Sequence, residues 1–369
     1  MKNIRWLFIL ILILALCGCF SEWAGDEGTI TISLGGFSRA LDDPDRIPNF
    51  EYAITLNGPG GIVERRFTGK NAVMRVVPGQ WNIRLKAYFC TLDGNEMHEY
   101  LQAIGFQTVN VKAGWNQPAY ISMISASEVE SFLELCAYVS NHPYTEEIII
   151  IKNDISTAED EKLPLPLLKS ISISENSKII LIAEKDVTIS SNILFGTDVT
   201  GALPRGFFDV IPGTSLTLGM AGMSGTITID GKNDGKRETK AVPMIYVDKG
   251  AELFMNDKVI LQYNGTSAVE NHGTFTMYGG KITENTAVNG GGIYNTGTFT
   301  MNGGEISGNT SSQGGGVYNA GTFTMNGGVI SGNTASKNGG GVYVSSGGTF
   351  TKTGGTIYGY IKDDTTVTR

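Results

Sequence analysis

Five aspartates, Asp209, Asp230, Asp234, Asp248 and Asp257, fall in one stretch of the chain together with Lys232, Lys236 and Arg237. Carboxylates on one face suit two chemistries: holding Ca2+, which takes oxygen ligands, and acid–base cleavage of a glycosidic bond. Asp230, Asp234 and Asp248 are the candidate metal ligands. Against this stands composition, because Asp230-Gly231-Lys232-Asn233-Asp234-Gly235-Lys236 also reads as a solvated turn. A second candidate set is built from threonine. Thr274 and Thr276, Thr298 and Thr300, and Thr322 and Thr324 flank Phe275, Phe299 and Phe323. Side chains alternate across a strand, so inward Phe would leave two outward columns of hydroxyls. These six threonines are the candidate ligand-binding face. His98, between Glu96 and Glu99, reads as a solvated loop residue, and the three histidines of the chain are too few for a His-based metal centre.

Composition narrows the function classes. The chain has 369 residues, 28 Lys+Arg against 36 Asp+Glu, and a formal net charge of −8. A nucleic-acid partner needs clustered basic residues and is excluded on that balance. Four cysteines do not make a disulfide scaffold; Cys90 and Cys136 could pair or stay as two buried thiols. From Gly273 to Tyr360 the only carboxylates are Glu284 and Glu305, and no Arg lies between Arg237 and Arg369. That region holds neither a lyase nor a hydrolase site. An enzyme would need its site near residues 205–260, and beyond Ca2+ there no cofactor is expected.

The amino terminus is an address. Lys2 and Arg5 precede the apolar run Trp6–Leu16, which is short for a membrane span. Leu16-Cys17-Gly18-Cys19 resembles a bacterial lipobox, with Cys19 as the lipidated residue because Gly18 precedes it. The resemblance implies a signal peptide over 1–18 and a lipidated tether over 19–50. It also implies a partner in the membrane and a place in the cell envelope of a diderm bacterium. Phe20-Ser21, in place of Asp, leans towards the outer membrane or the cell surface.

Residues 51–125, or from 28 if Thr29–Ser33 is the first strand, read as short strands between Gly- and Pro-marked turns, the pattern of a β-sandwich. The strings Val77-Pro78-Gly79-Gln80-Trp81-Asn82-Ile83 and Val109-Asn110-Val111-Lys112-Ala113-Gly114 resemble immunoglobulin-like modules of bacterial surface proteins, which serve as spacers. Ser127 and Glu130 form a capping box, and Val129, Phe132, Leu133, Cys136, Ala137 and Val139 share a helical face. This predicts a capping helix over 127–141.

Then the chain repeats. Gly-Thr-Phe-Thr recurs at Gly273, Gly297, Gly321 and Gly348, and Gly-Gly-(Ile/Val)-Tyr recurs at Gly291, Gly315 and Gly340. Each unit holds three strand-like segments with Gly- and Asn-rich corners, so one unit is one turn of a three-sided parallel coil. Stacks of Phe275/Phe299/Phe323/Phe350, Ile282/Ile306/Ile330/Ile357 and Ile293/Val317/Val342 should fill it, with Asn285, Asn309 and Asn333 as a corner ladder. The region 126–361 resembles right-handed parallel β-helix (pectin-lyase-like) repeat proteins, most of all treponeme-type surface lipoproteins and, more distantly, autotransporter adhesin passengers. A polar tail, 362–369, follows. The expected fold is all-β: sandwich, capping helix, β-helix. The expected function is a non-catalytic rod for adhesion or ligand binding, with a host matrix protein or glycan as partner, or for envelope structure. The alternative is a polysaccharide lyase or glycoside hydrolase on the irregular turns. The Thr-x-Thr face is also similar to that of β-helical ice-binding proteins.

Overall fold

Alternating apolar residues and Gly-rich corners leave little room for helix, and the computed structural model, which describes residues 27–34, 50–69, 71–93, 96–140, 146–156, 171–190, 205–232 and 242–362, is all-β apart from one helix. The chain divides into two units, residues 1–124 and 125–369.

In the first unit, Gly61–Phe67, Phe50–Gly58, Gly79–Asp93 and Glu96–Val111 form an antiparallel sheet in that order. Gly28–Leu34 pairs antiparallel with Asn71–Val76 and parallel with Ala119–Ile121. Both sheets turn their apolar residues into one core, including Ile30, Ile32, Ile54, Leu56, Met74, Trp81, Ile83, Leu85 and Ile121. Trp81 is fully buried, and its indole N–H donates to the Val77 carbonyl at 2.9 Å. Gly58 lies against the ring, where an added Cβ would sit 2.4 Å from it.

The second unit is a three-sided parallel β-helix. Sheet I runs from Ile124–Val129 and Glu146–Ile151 through Thr274–Met277, Thr298–Met301 and Thr322–Met325 to Thr349–Lys352. Sheet II runs from Ile155–Ser156 to Thr356–Ile357, and sheet III from Ile171–Ser172 to Tyr360–Lys362, each with eight strands among the described residues. Each sheet takes one strand from every turn, all parallel, so side chains one turn apart stack in register.

The stacking explains the repeat. Phe275, Phe299 and Phe323 are fully buried, and successive ring centroids from Phe275 to Phe350 lie 5.0, 4.7 and 4.9 Å apart. Ile282, Ile306 and Ile330 stack in sheet II, and Ile293, Val317 and Val342 in sheet III. At the sheet II to III corner, the Asn285 and Asn309 side-chain amides donate to the next Asn Oδ1 at 2.9 and 3.0 Å. A second ladder, which the repeat reading missed, runs inside sheet III through Asn271, Asn295 and Asn319 at 2.7 and 2.6 Å. It stops where Val247 and Val344 take the next positions. Asn271 Oδ1 is therefore buried with no donor, a loss of about 1–3 kcal/mol. Gly304 and Gly328 take φ of 85° and 84° at the sheet I to II corner, a conformation that disfavours any Cβ.

The helix differs from its sequence reading. Helix α1 spans Phe132–Ser140, and Ser127 lies in the strand Ile124–Val129, which pairs parallel with Glu146–Ile151. The cap is one turn later. Ser131 Oγ accepts the Glu134 N–H at 3.3 Å, and Glu134 Oε2 accepts the Glu130 N–H at 2.8 Å. The Ser-x-x-Glu spacing occurs three times, at Ser125, Ser127 and Ser131, and pairing with the Ile-rich strand claims the first two. Phe132, Leu135 and Val139 are the buried face, with Phe132 stacked on Phe207 at 5.9 Å. Leu133 and Ala137, assigned to that face, are exposed. The Val139 carbonyl accepts both the Ser174 N–H and its hydroxyl at 3.1 Å, which pins the helix to the first turn. Cys90 and Cys136 form no disulfide and are half-buried, not fully buried as a core thiol pair would be.

Candidate functional site

The carboxylates of the irregular turns do not converge. Asp230 ends a sheet II strand; its Oδ1 accepts the Lys232 N–H at 2.8 Å and its Oδ2 accepts Gln262 Nε2 at 3.1 Å. It is a turn anchor. Asp248 lies at a different corner, after the sheet III strand Ile245–Val247, and is engaged by Arg205 and by the Lys249 N–H. Arg205 also bonds Asp209 at 3.1 Å and lies over the Tyr246 ring, 4.9 Å from its centre. Asp257 is exposed beyond sheet I. Asp234, Lys236 and Arg237 lie outside the described residues, as does Cys19. Arg205 thus occupies two of the carboxylates a metal would need. The two carboxyls differ in acidity because they differ in burial. Burial outweighs Arg205 at Asp209 and pushes that carboxyl up, while at Asp248 burial is overcome by Arg205 and the Lys249 N–H, which hold it below the usual range.

The threonines are brought together. Thr274, Thr298, Thr322 and Thr349 are paired in register, as are Thr276, Thr300, Thr324 and Thr351. The columns begin below Glu252 and Phe254. Beside the first column the sheet III to I corner changes length. It has four residues at Asp248–Ala251, two at His272–Gly273, Thr296–Gly297 and Ala320–Gly321, and four again at Ser345–Gly348. A groove of about 780 Å3 opens where the corner shortens, lined by Tyr246, Asp248, His272, Thr274, Thr298 and Thr322 among others. Its glycines are required by packing: a Cβ on Gly297 or Gly321 would fall 2.2 or 2.1 Å from the carbonyl oxygen of Gly273 or Gly297 on the preceding turn.

In one turn of this groove Glu270 interrupts a run of tyrosines. The outward position of sheet III is Asp209, Tyr246, Glu270, Tyr294, Tyr318, Tyr343 and Ile361 in successive strands. The corner residue that follows changes at every turn, from Asp248 through His272, Thr296 and Ala320 to Ser345. Glu270 and His272 touch. His272 Nε2 lies 3.0 Å from Glu270 Oε1, and its Nδ1 lies 2.6 Å from Thr296 Oγ1. Tyr246 packs on the imidazole at 5.1 Å, and Tyr294 stands edge-on at 6.4 Å. Sequence reasoning passed over this trio; the signal available was Glu270 standing one period from Tyr246 and Tyr294.

Elsewhere, the one grouping of three metal-capable side chains among the described residues is Glu51, Cys90 and Glu99. Arg66 already binds it, with two bonds to Glu99 at 2.6 and 3.0 Å and an ion pair to Glu51 at 3.4 Å. Burial and the carboxylates push the Cys90 thiol up, which disfavours the thiolate. His98, assigned to solvent, is exposed.

Comparison with protein-family models, with curated proteins and with solved structures returns no match. The β-helix therefore rests on its own strand pairing.

Proposed function

We propose that this chain is a lipid-anchored envelope protein, similar to treponeme-type surface lipoproteins, whose β-helix binds an extended ligand along its threonine face. Lipidation at Cys19 tethers it, and the amino-terminal β unit acts as a spacer of the immunoglobulin-like kind. The observation that carries the reading is the register of the two Thr columns through four successive turns. Identical hydroxyls repeated at every turn, with about 4.8 Å between strands, suit a ligand that itself repeats, a glycan or an extended matrix protein, rather than one chemical centre. Column positions from Thr274 to Thr324 carry no charge, so hydroxyl hydrogen bonds would supply the recognition.

The test uses the mature chain with Cys19→Ser, against immobilised matrix proteins and neutral glycans. Binding is expected, and a variant with Thr298, Thr300, Thr322 and Thr324 all changed to Val should lose about tenfold or more in affinity. Val keeps the strand preference and volume while removing the hydroxyls. Equal binding by the Val variant, or binding by neither, overturns the reading.

A second reading has one observation in its favour. Asp209 and Asp248 have acidities pushed in opposite directions, the pattern of an acid–base pair. Arg205 bonded to both argues for an ion-pair clamp instead. Polysaccharide cleavage lost in both Asp209→Asn and Asp248→Asn would favour the enzyme.

A further inference from the structure

Glu270 interrupts the tyrosines of sheet III and touches His272, and His272 in turn reaches Thr296 of the next turn. The protonation pattern follows from the partners. An ionised Glu270 can only accept, so the neutral imidazole carries its hydrogen on Nε2, and Nδ1 at 2.6 Å accepts the Thr296 hydroxyl hydrogen in preference to the Asn271 carbonyl at 3.5 Å. This is the carboxylate–imidazole–hydroxyl order of an activated nucleophile. The ring is held between Tyr246 and Tyr294, and Thr296 is exposed in the groove.

We infer that Thr296 is a nucleophile that accepts an acyl group from an uncharged activated ester, with His272 as its base and Glu270 orienting the imidazole. Thr296 Oγ1 forms a bond to the acyl carbon, the ester C–O bond breaks, and the hydroxyl proton passes through His272 to the departing oxygen. An uncharged donor suits this end of the groove, where Asp248 and Glu270 are offset by Arg205 and Lys249.

The corner amides decide how far the reaction goes. The N–H groups of Thr296 and Gly297 both donate to the Asn271 carbonyl, and that of Gly321 to Asn295. Within the three two-residue corners, only the Gly273 N–H has no backbone acceptor among the described residues. A tetrahedral oxyanion at Thr296 therefore lacks the paired donors on which rapid turnover depends. The acyl-threonine accumulates, and the chain captures its donor instead of hydrolysing it repeatedly.

The experiment treats the mature chain carrying Cys19→Ser with p-nitrophenyl acetate and, separately, with a fluorophosphonate. One acetyl adduct per chain is expected, located by peptide mass spectrometry on Thr296, with a burst of one equivalent of p-nitrophenol and little turnover after it. His272→Thr and Glu270→Tyr place at each position the residue that the following turn carries, so melting temperatures should hold while the labelling rate falls about tenfold or more. Thr296→Ala, the residue of the next corner, should abolish the adduct. An adduct on Lys249 or any other residue, undiminished labelling of a folded His272→Thr variant, or no adduct at all overturns the inference. None of these outcomes bears on ligand binding by the Val variant above.

Discussion

Glu147 shows how much one buried group in a stacked fold can matter. It is 1% exposed in the Ile-rich strand Glu146–Ile151, with its carboxyl bonded to Ser127 Oγ at 2.5 Å. Burial pushes that carboxyl up to about 7, against the opposing pull of the Ser127 hydroxyl. The native state thus holds its proton more tightly than the unfolded chain, whose Glu titrates near 4.5. Stability from this group is complete below pH 4.5, declines as pH rises through 7, and is level above it. Urea unfolding of the wild type should weaken between pH 5 and 8, by at most about 3 kcal/mol from this residue. Glu147→Gln, which can still accept from Ser127, should flatten that slope; an unchanged slope would assign it to other groups.

At the scale of elements, the displaced helix cap is the informative case. Both Ser127-x-x-Glu130 and Ser131-x-x-Glu134 satisfy the local rule, and local rules alone cannot choose between them. Strand pairing chooses, because Ser125–Val129 joins the ladder of Glu147–Ile151 and leaves Ser131 as the first residue free to cap. Ser131→Ala should therefore cost about 1 kcal/mol in thermal or urea unfolding. Ser127→Ala should leave helix content by circular dichroism unchanged, and its effect should appear in the pH slope of Glu147. A loss of helix signal in Ser127→Ala alone would reverse the assignment.

At the scale of the β-helix as a whole, each turn touches only its neighbours, so stability is close to a sum over turns. Deleting Gly297–Ala320 joins Thr296 to Gly321 and brings Thr274, Phe275 and Met277 opposite Thr322, Phe323 and Met325, the pairings that Thr298, Phe299 and Met301 make now. The shortened chain should fold, keep its strand signal, and melt at a lower temperature than the parent. Failure to fold would mean that this turn contributes something its neighbours cannot replace.

The turns from Gly273 onwards could be read from the linear order of residues. Period, inward Phe and Ile, corner Asn and outward Thr were all legible there, because in a parallel stack the neighbour of each residue is its own equivalent one period away, and linear spacing becomes spatial contact. The rest needed the folded chain. Which Ser caps α1 depends on strand pairing, while why Asp230 and Asp248 do not meet and how Arg205 takes Asp209 and Asp248 together depend on turns of unequal length, where equal spacing no longer means proximity. The same holds for Glu270, His272 and Thr296. A repeat announces what recurs, and none of the three does; that they touch follows only from the register of sheet III and the shortness of the corner beside it.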